Sequence, residues 1–193
     1  MKQGILSIIG QTPMIELSRI FAPVHFRAYA KLEYLNPGGS LKDRPAMNIL
    51  TEAIEKGIVT PSTVIIESSS GNMGIGLAQA CSVYRLRFIC VVDPKTTLQN
   101  IRILESYGAE VEMVCEPEIE TGEYLQSRLK RVEQLTRETE NAFWPNQYSN
   151  PDNPAAYHKM MDEIVSELGR ADFLFCATST CGTLRGCSEY IRG

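Results

Sequence analysis

The chain has 193 residues, 44% hydrophobic and 22% charged, enough for one globular unit or two small lobes with a real core. A net charge of −4 without any basic block argues against nucleic acid and anionic membrane as partners. No apolar run approaches the ~18 residues of a membrane span. Met1-Lys2-Gln3-Gly4 leads directly into structured-looking sequence and not into a signal peptide. The six cysteines, Cys81, Cys90, Cys115, Cys176, Cys181 and Cys187, include no Cys-x-x-Cys pair, and only His25 and His158 stand by to complete a zinc set. Reduced, mostly buried thiols in a cytosolic protein, with no metal, are the expectation.

In chain order, the first informative stretch is Asn36-Pro37-Gly38-Gly39-Ser40-Leu41-Lys42-Asp43-Arg44-Pro45, a glycine turn that ends at a lysine opening a helix. Ile49, Leu50, Ala53 and Ile54 form one face of that helix, and Gly57 ends it. From Val64 onward strands and helices alternate. Val64-Ile65-Ile66 precedes a helix from Gly71 to Tyr84, and Phe88 to Val92 precedes one from Thr97 to Tyr107. Val111 to Val114 leads to a helix from Gly122 to Glu138, and Phe173-Leu174-Phe175-Cys176 leads to Gly182. These short apolar runs predict buried parallel strands in an α/β fold, with right-handed crossovers and helices on both faces of the sheet. Thr139 to Pro154 is the one long irregular stretch. At its end Asn153-Pro154 predicts a helix N-cap with proline at the first helical position. Tyr157, Met160, Met161, Ile164, Val165 and Leu168 then make a stripe at helical spacing, closed by Gly169, which reads as core packing.

Lys42 has the residue type for holding an aldehyde cofactor covalently. An amine is ordinarily protonated near neutral pH, so that chemistry needs a desolvated or electropositive setting. The first turn of a helix and nearby Arg44 supply positive field. Taken alone, the residue reads as an ordinary exposed lysine at a helix start; the later loops change its meaning. Ser69-Ser70-Gly71-Asn72-Met73-Gly74 gathers hydroxyls and backbone N–H groups at a helix start, a nest suited to a carboxylate, with Ser70 also expected to cap the helix. Ser179-Thr180-Cys181-Gly182-Thr183 repeats the arrangement and suits a phosphate. Cys181 as a nucleophile has no histidine placed near it in sequence. Arg128 falls within the apolar stripe Leu125, Leu129, Val132, Leu135. A buried guanidinium calls for an anion, either a ligand or a partner such as Glu123, unless the side chain snorkels to solvent.

Together the three segments resemble the pyridoxal-phosphate enzymes of the cysteine synthase family, over nearly the whole chain. The resemblance implies the two-lobed fold-type II architecture, with parallel sheets covered by helices. Residues 46–144 would form a smaller, mobile lobe, and residues 1–45 with 145–193 the larger, cofactor-binding lobe. It implies pyridoxal 5'-phosphate as cofactor, with Lys42 as the lysine that holds it and takes the substrate's α-proton, and Asn72 bonded to the ring hydroxyl. Ser69, Ser70, Gly71 and Met73 would grip the substrate carboxylate, Met73 standing where threonine is usual. Ser179, Thr180, Cys181, Gly182 and Thr183 would cradle the cofactor phosphate, with two of the family's glycines lost. Gln147, in Asn146-Gln147-Tyr148, would reach the carboxylate.

Lys159-Met160-Met161-Asp162-Glu163-Ile164 replaces the family's Thr-Thr-Gly-Pro-Glu-Ile. With Ala30-Lys31-Leu32-Glu33-Tyr34, Cys90 to Lys95, Ser106 to Ala109 and Tyr157-His158, this departure resembles the siderophore-pathway branch of the family. That branch makes N-(2-amino-2-carboxyethyl)-L-glutamate from O-phospho-L-serine and L-glutamate, on the way to 2,3-diaminopropionate. Arg128 would then meet an extra anionic group of the substrates. The alternatives are an O-acetylserine or O-phosphoserine sulfhydrylase, and a non-catalytic remnant that binds a partner. The resemblance also implies a cytoplasmic homodimer acting on small amino acids. Family enzymes run well past residue 193, and the usual serine at the pyridine nitrogen has no counterpart here. The expectation is therefore a fragment that by itself binds cofactor poorly and exposes an apolar sheet edge unless a partner covers it.

Overall fold

A computed structural model describes residues 4–21 and 25–193; the reading of Met1-Lys2-Gln3 lies outside them. Strands β1 (Met14–Glu16) and β2 (Tyr29–Lys31) pair antiparallel, Met14 opposite Lys31. The helix opened by Lys42 is α1 (Asp43–Glu55). Then follow β3 (Val64–Ser68), α2 (Asn72–Tyr84), β4 (Arg87–Val92), α3 (Leu98–Ser106), β5 (Glu110–Met113), α4 (Leu125–Glu138) and β6 (Ala142–Phe143). The four strands form one parallel sheet in the order β5-β4-β3-β6.

Alternation along the strands divides the core. Ile65, Phe88, Cys90 and Val92 pack against α1 and α2, through Ile49, Leu50 and Leu77. Val64, Ile66, Ile89 and Val91 face Val132 of α4. With both faces covered, neither set can be polar, so β3 and β4 read as continuous apolar runs. A third cluster joins α6 (His158–Leu168) to α7 (Gly182–Arg192), with Tyr157, Met160, Met161, Ile164 and Cys187 buried and Leu41 packed against them.

Several local expectations are corrected. The stretch Thr139 to Pro154 holds β6, whose two residues pair with Val64 and Ile65 of β3; two residues are too few to show a strand period. Residues Phe173 to Cys176 are irregular, with Phe175 94% exposed. A strand exists only through the neighbour it bonds to, and no strand lies beside them among the described residues. Asn153 does not cap a helix. The short helix α5 (Asp152–Ala155) begins one residue earlier, and the Asn150 side chain accepts the Asp152 N–H. α4 starts at Leu125, because Gly122 sits in a turn at φ 68°. In the α6 stripe, Val165 faces solvent.

Arg44 is the buried hub of this arrangement. Its Nε and Nη2 donate to both oxygens of Glu33, at 2.7 and 2.9 Å, and its Nη1 and Nη2 to both oxygens of Glu163, at 2.8 Å each. Lys31 Nζ adds a contact to Glu163 at 2.7 Å. Burial would raise the Glu163 pKa, but hydrogen bonds from Arg44, Lys31 and the Gln11 N–H outweigh it and hold the carboxyl at about 2 instead of 4.5. A folded pKa below the unfolded one means stability that is complete above pH 4.5 and lost as pH falls toward 2. Urea titrations of Glu163→Gln should therefore show a destabilised protein at pH 7, with the gap to wild type closing below pH 4.

Candidate active site around Lys42

Lys42 is the residue before α1, its N–H accepted by Ser40 Oγ at 3.1 Å. The turn before it is tied down by the Asp43 carboxylate, which accepts the Gly38 N–H. Gly39 turns the chain at φ 82°, where a side chain is disfavoured. Behind the lysine, α2 approaches closely through Gly76, where a Cβ would lie 2.9 Å from Ala46 Cβ and 3.2 Å from the Lys42 carbonyl oxygen. The Lys42 amine lies 3.3 Å from the Tyr157 hydroxyl and 5.8 Å from the centre of its ring. Burial lowers the Lys42 pKa. The charge of Arg44, expected to assist, is neutralised by Glu33 and Glu163, so desolvation is the operative cause.

The loop before α2 is organised by Ser69. Its Oγ accepts the N–H groups of Gly74 at 2.9 Å and Gly71 at 3.3 Å. Capping thus falls to Ser69 and not to Ser70, whose carbonyl accepts the Asn100 side chain at 2.9 Å. The difference is one of direction, since strand β3 ends by aiming Ser69 under the first turn. Asn72 stands exposed at the start of α2, whereas the Met73 side chain is buried in the core. Only the backbone of Met73 is left for a ligand.

Four residues that sequence reasoning did not assign to the site hold the loops in place: Glu67, Trp144, Asn153 and Tyr157. Glu67 is fully buried at the end of β3 and accepts from Ser68 N at 2.8 Å, Trp144 Nε1 at 3.2 Å and Gln147 N at 3.2 Å. Gln147 Nε2 donates to the Ser68 carbonyl at 3.0 Å. The Gln147 carbonyl accepts the Asn153 amide, whose Oδ1 would lie 2.7 Å from a Cβ at Gly182. One hydrogen-bonded chain therefore runs from the loop of α2 to Asn153, which lies against the start of α7. Its signal in the sequence was a lone carboxylate inside Val64-Ile65-Ile66-Glu67-Ser68.

At the start of α7, Gly182 and Thr183 are buried, Ser179 is exposed, and the buried Thr180 Oγ1 has no hydrogen-bond partner among the described residues. Thr183 is within hydrogen-bonding reach of the Tyr157 hydroxyl. Cys181 precedes the helix at φ 60°, a left-handed position suited to the glycine that the motif lacks. Arg128 is buried, as its stripe position required, and the anion it meets is Asp93, with Nε 3.1 Å from Oδ2. The contact is not directed along the N–H, and Nη1 also has no hydrogen-bond partner among the described residues. Glu123, the alternative partner, pairs with Lys95 instead.

Burial, opposed by the donors around it, raises the Glu67 pKa from 4.5 to about 7. A folded pKa above the unfolded one favours the protonated protein, so this stabilising contribution is complete below pH 4.5 and lost as pH rises through 7. At ~1.4 kcal/mol for each unit separating the folded from the unfolded pKa, the buried charge costs about 3 kcal/mol at pH 8. Glu67→Gln should flatten the fall in wild-type stability between pH 5 and pH 8, read from thermal melts across that range. Cys181→Gly removes a left-handed side chain and should stabilise the chain by about 1 kcal/mol, a rise in Tm of roughly 2–4 °C.

The chain resembles known proteins in both sequence and fold. Residues 5–193 match the family model described as pyridoxal-phosphate dependent enzyme. Among solved structures, a hydrogen sulfide-producing enzyme from Fusobacterium nucleatum superposes with a TM-score of 0.91 at 31% identity, covering 100% of this chain and 62% of that one. An O-acetylserine dependent cystathionine beta-synthase from Helicobacter pylori gives 0.89 at 34%, covering 97% and 61%. A cysteine synthase from Entamoeba histolytica gives 0.89 at 33%, covering 100% and 57%. The chain thus spans about three fifths of the length of these relatives. With a family match over nearly all its residues and a parallel sheet on which α1, opened by Lys42, packs, the chain belongs to the pyridoxal-phosphate dependent enzymes of cysteine synthase-like, fold-type II architecture.

Proposed function

We propose that this protein catalyses β-replacement on an activated L-serine, O-phospho-L-serine, with the amine of L-glutamate as nucleophile. The products are N-(2-amino-2-carboxyethyl)-L-glutamate and phosphate. The observation that carries the reading is the desolvated amine of Lys42, backed by α2 and linked through Tyr157 to the start of α7.

The residues present fit pyridoxal 5'-phosphate. Thr180 Oγ1 lies buried without a partner, beside a helix start whose Gly182 admits no side chain against Asn153. Ser179, Thr180, Cys181, Gly182 and Thr183 would hold the phosphate, Asn72 the ring hydroxyl, and Lys42 the aldehyde carbon. When bound, the cofactor supplies a sink for the electron pair left on the substrate's α-carbon. The protein supplies position and proton transfer. Lys42 Nζ takes the α-proton, and its burial keeps a larger share of the amine neutral near pH 7 than a solvated lysine would have.

Ser69, Ser70 and Gly71 with the Met73 N–H hold the substrate carboxylate. Gln147 commits one amide proton to Ser68 and offers the other to that carboxylate. The Cβ–O bond then breaks with its electrons on the departing phosphate. The glutamate nitrogen bonds to Cβ and gives up a proton, and Lys42 returns the proton to the α-carbon.

The buried Arg128, shared with Asp93 and with Nη1 unpartnered, supports an extra anionic group on the substrates. In this reading residues 46–144 close as a mobile lobe over residues 1–45 and 145–193, in a cytoplasmic homodimer acting on small amino acids. A second reading, with sulfide as the nucleophile, is favoured by the match to cysteine synthase at 33% identity.

Both readings are tested by the visible spectrum of the chain with pyridoxal phosphate, followed by mass analysis of products after O-phospho-L-serine and either nucleophile are added. The expected result is a glutamate adduct that Lys42→Ala abolishes together with the cofactor's lysine-bound absorbance. Cysteine formed from sulfide, with no glutamate adduct, selects the second reading. Product formation unaffected by Lys42→Ala sinks both.

A further inference from the structure

Tyr157 lies between α5 and α6 at the head of an apolar stripe, where a phenylalanine would satisfy the packing. It is fully buried, yet its hydroxyl meets a charged group. Lys42 Nζ is 3.3 Å away and Thr183, in the first turn of α7, is within reach. The backbone enforces that meeting. A Cβ at Gly186 would run into the Pro154 carbonyl and lie 3.1 Å from Tyr157 Cβ, so α7 seats directly on the tyrosine only because residue 186 has no side chain.

A phenol has one proton to donate. Given to Thr183 Oγ1, it leaves only acceptor lone pairs facing the lysine. Charged or titratable groups acting on the hydroxyl are Glu33 and Arg44, which pair with each other, and the Cys187 thiol. Burial chiefly raises the phenol pKa to about 12, so it stays protonated where enzymes work.

We propose that Tyr157 is a positioning residue for Lys42, fixing the amine at a set reach from the start of α7 and supporting its protonated form through an oriented acceptor. The inference rests on Lys42 being the reactive amine, and it deepens that reading by naming what governs the amine's proton. Tyr157 opposes the burial that lowers the lysine pKa, so the residue sets a balance between holding a proton and releasing it.

The test follows the Lys42 amine in the cofactor-free chain, by trace acetic anhydride labelling across pH with mass analysis of the Lys42 peptide. Removing one hydrogen bond of about 0.5–1.5 kcal/mol corresponds to roughly a twofold to tenfold change in an equilibrium constant. Tyr157→Phe should raise the acid dissociation constant of the Lys42 ammonium by that factor. Thr183→Val should move it in the same direction, because the phenol proton is then free to turn toward the amine. The double variant should match Tyr157→Phe alone. Equilibrium dialysis should also show weaker retention of pyridoxal phosphate in Tyr157→Phe.

An unchanged Lys42 titration in both single variants would overturn the proposal and leave Tyr157 a packing residue, whatever the fall in Tm. Should Tyr157→Phe not fold, Thr183→Val alone decides by the same titration. Absence of any lysine-bound cofactor in the wild-type chain is the separate failure that strikes the functional reading.

Discussion

The bidentate pairs of Arg44 with Glu33 and Glu163 are the constraint on which the site depends. A guanidinium this deeply buried is tolerated only when its donors are met by matching carboxylates. The requirement ties the first turn of α1 to the turn after β2 and to α6. Two residues before Arg44 is the lysine, and one residue before α6 is the tyrosine that its amine touches. The network therefore sets the reach between α1 and α6 at the place where Lys42 meets Tyr157. It does so with an interaction that breaks as a unit, since loss of one partner strands the others.

A second requirement is that the loops opening α2 and α7 must not collapse onto themselves. Helix starts at α2 and α7 present N–H groups that no residue of their own helix can satisfy. Ser69 satisfies part of the first, and the chain Glu67, Gln147, Asn153 holds that loop at a fixed offset from Gly182. The cost is a buried carboxylate with N–H donors and no cation as hydrogen-bond partners. Such a group reduces stability while fixing geometry, the kind of exchange expected where function and not folding selects a residue.

The alternation from Val64 to Glu138 was legible because sheet burial writes its requirement directly as apolar runs, with turn and cap residues between them. Thr97 caps α3 through its own Oγ1, and Gly57 and Gly169 follow their helices at positive φ. The strand at Phe173 to Cys176 illustrates the limit. Its composition is that of a strand, but pairing is a property of two segments, and the described residues place none beside it. Tyr157 illustrates the reverse. Its spacing assigned it to a packing stripe, where it lies, and nothing in that spacing reveals what its hydroxyl touches.

The sequence by itself determined the class of fold, the place of Lys42 at the start of a helix and the two later loops that open helices, because each depends on residues adjacent in the chain. Tertiary structure alone decided that Arg44 is spent on Glu33 and Glu163, that Arg128 faces Asp93, and that the Tyr157 hydroxyl meets Lys42. Those pairings span from 11 to 119 residues of chain, and a side chain's partner across such a distance is set by how helices seat on a sheet and on one another, which no local pattern encodes.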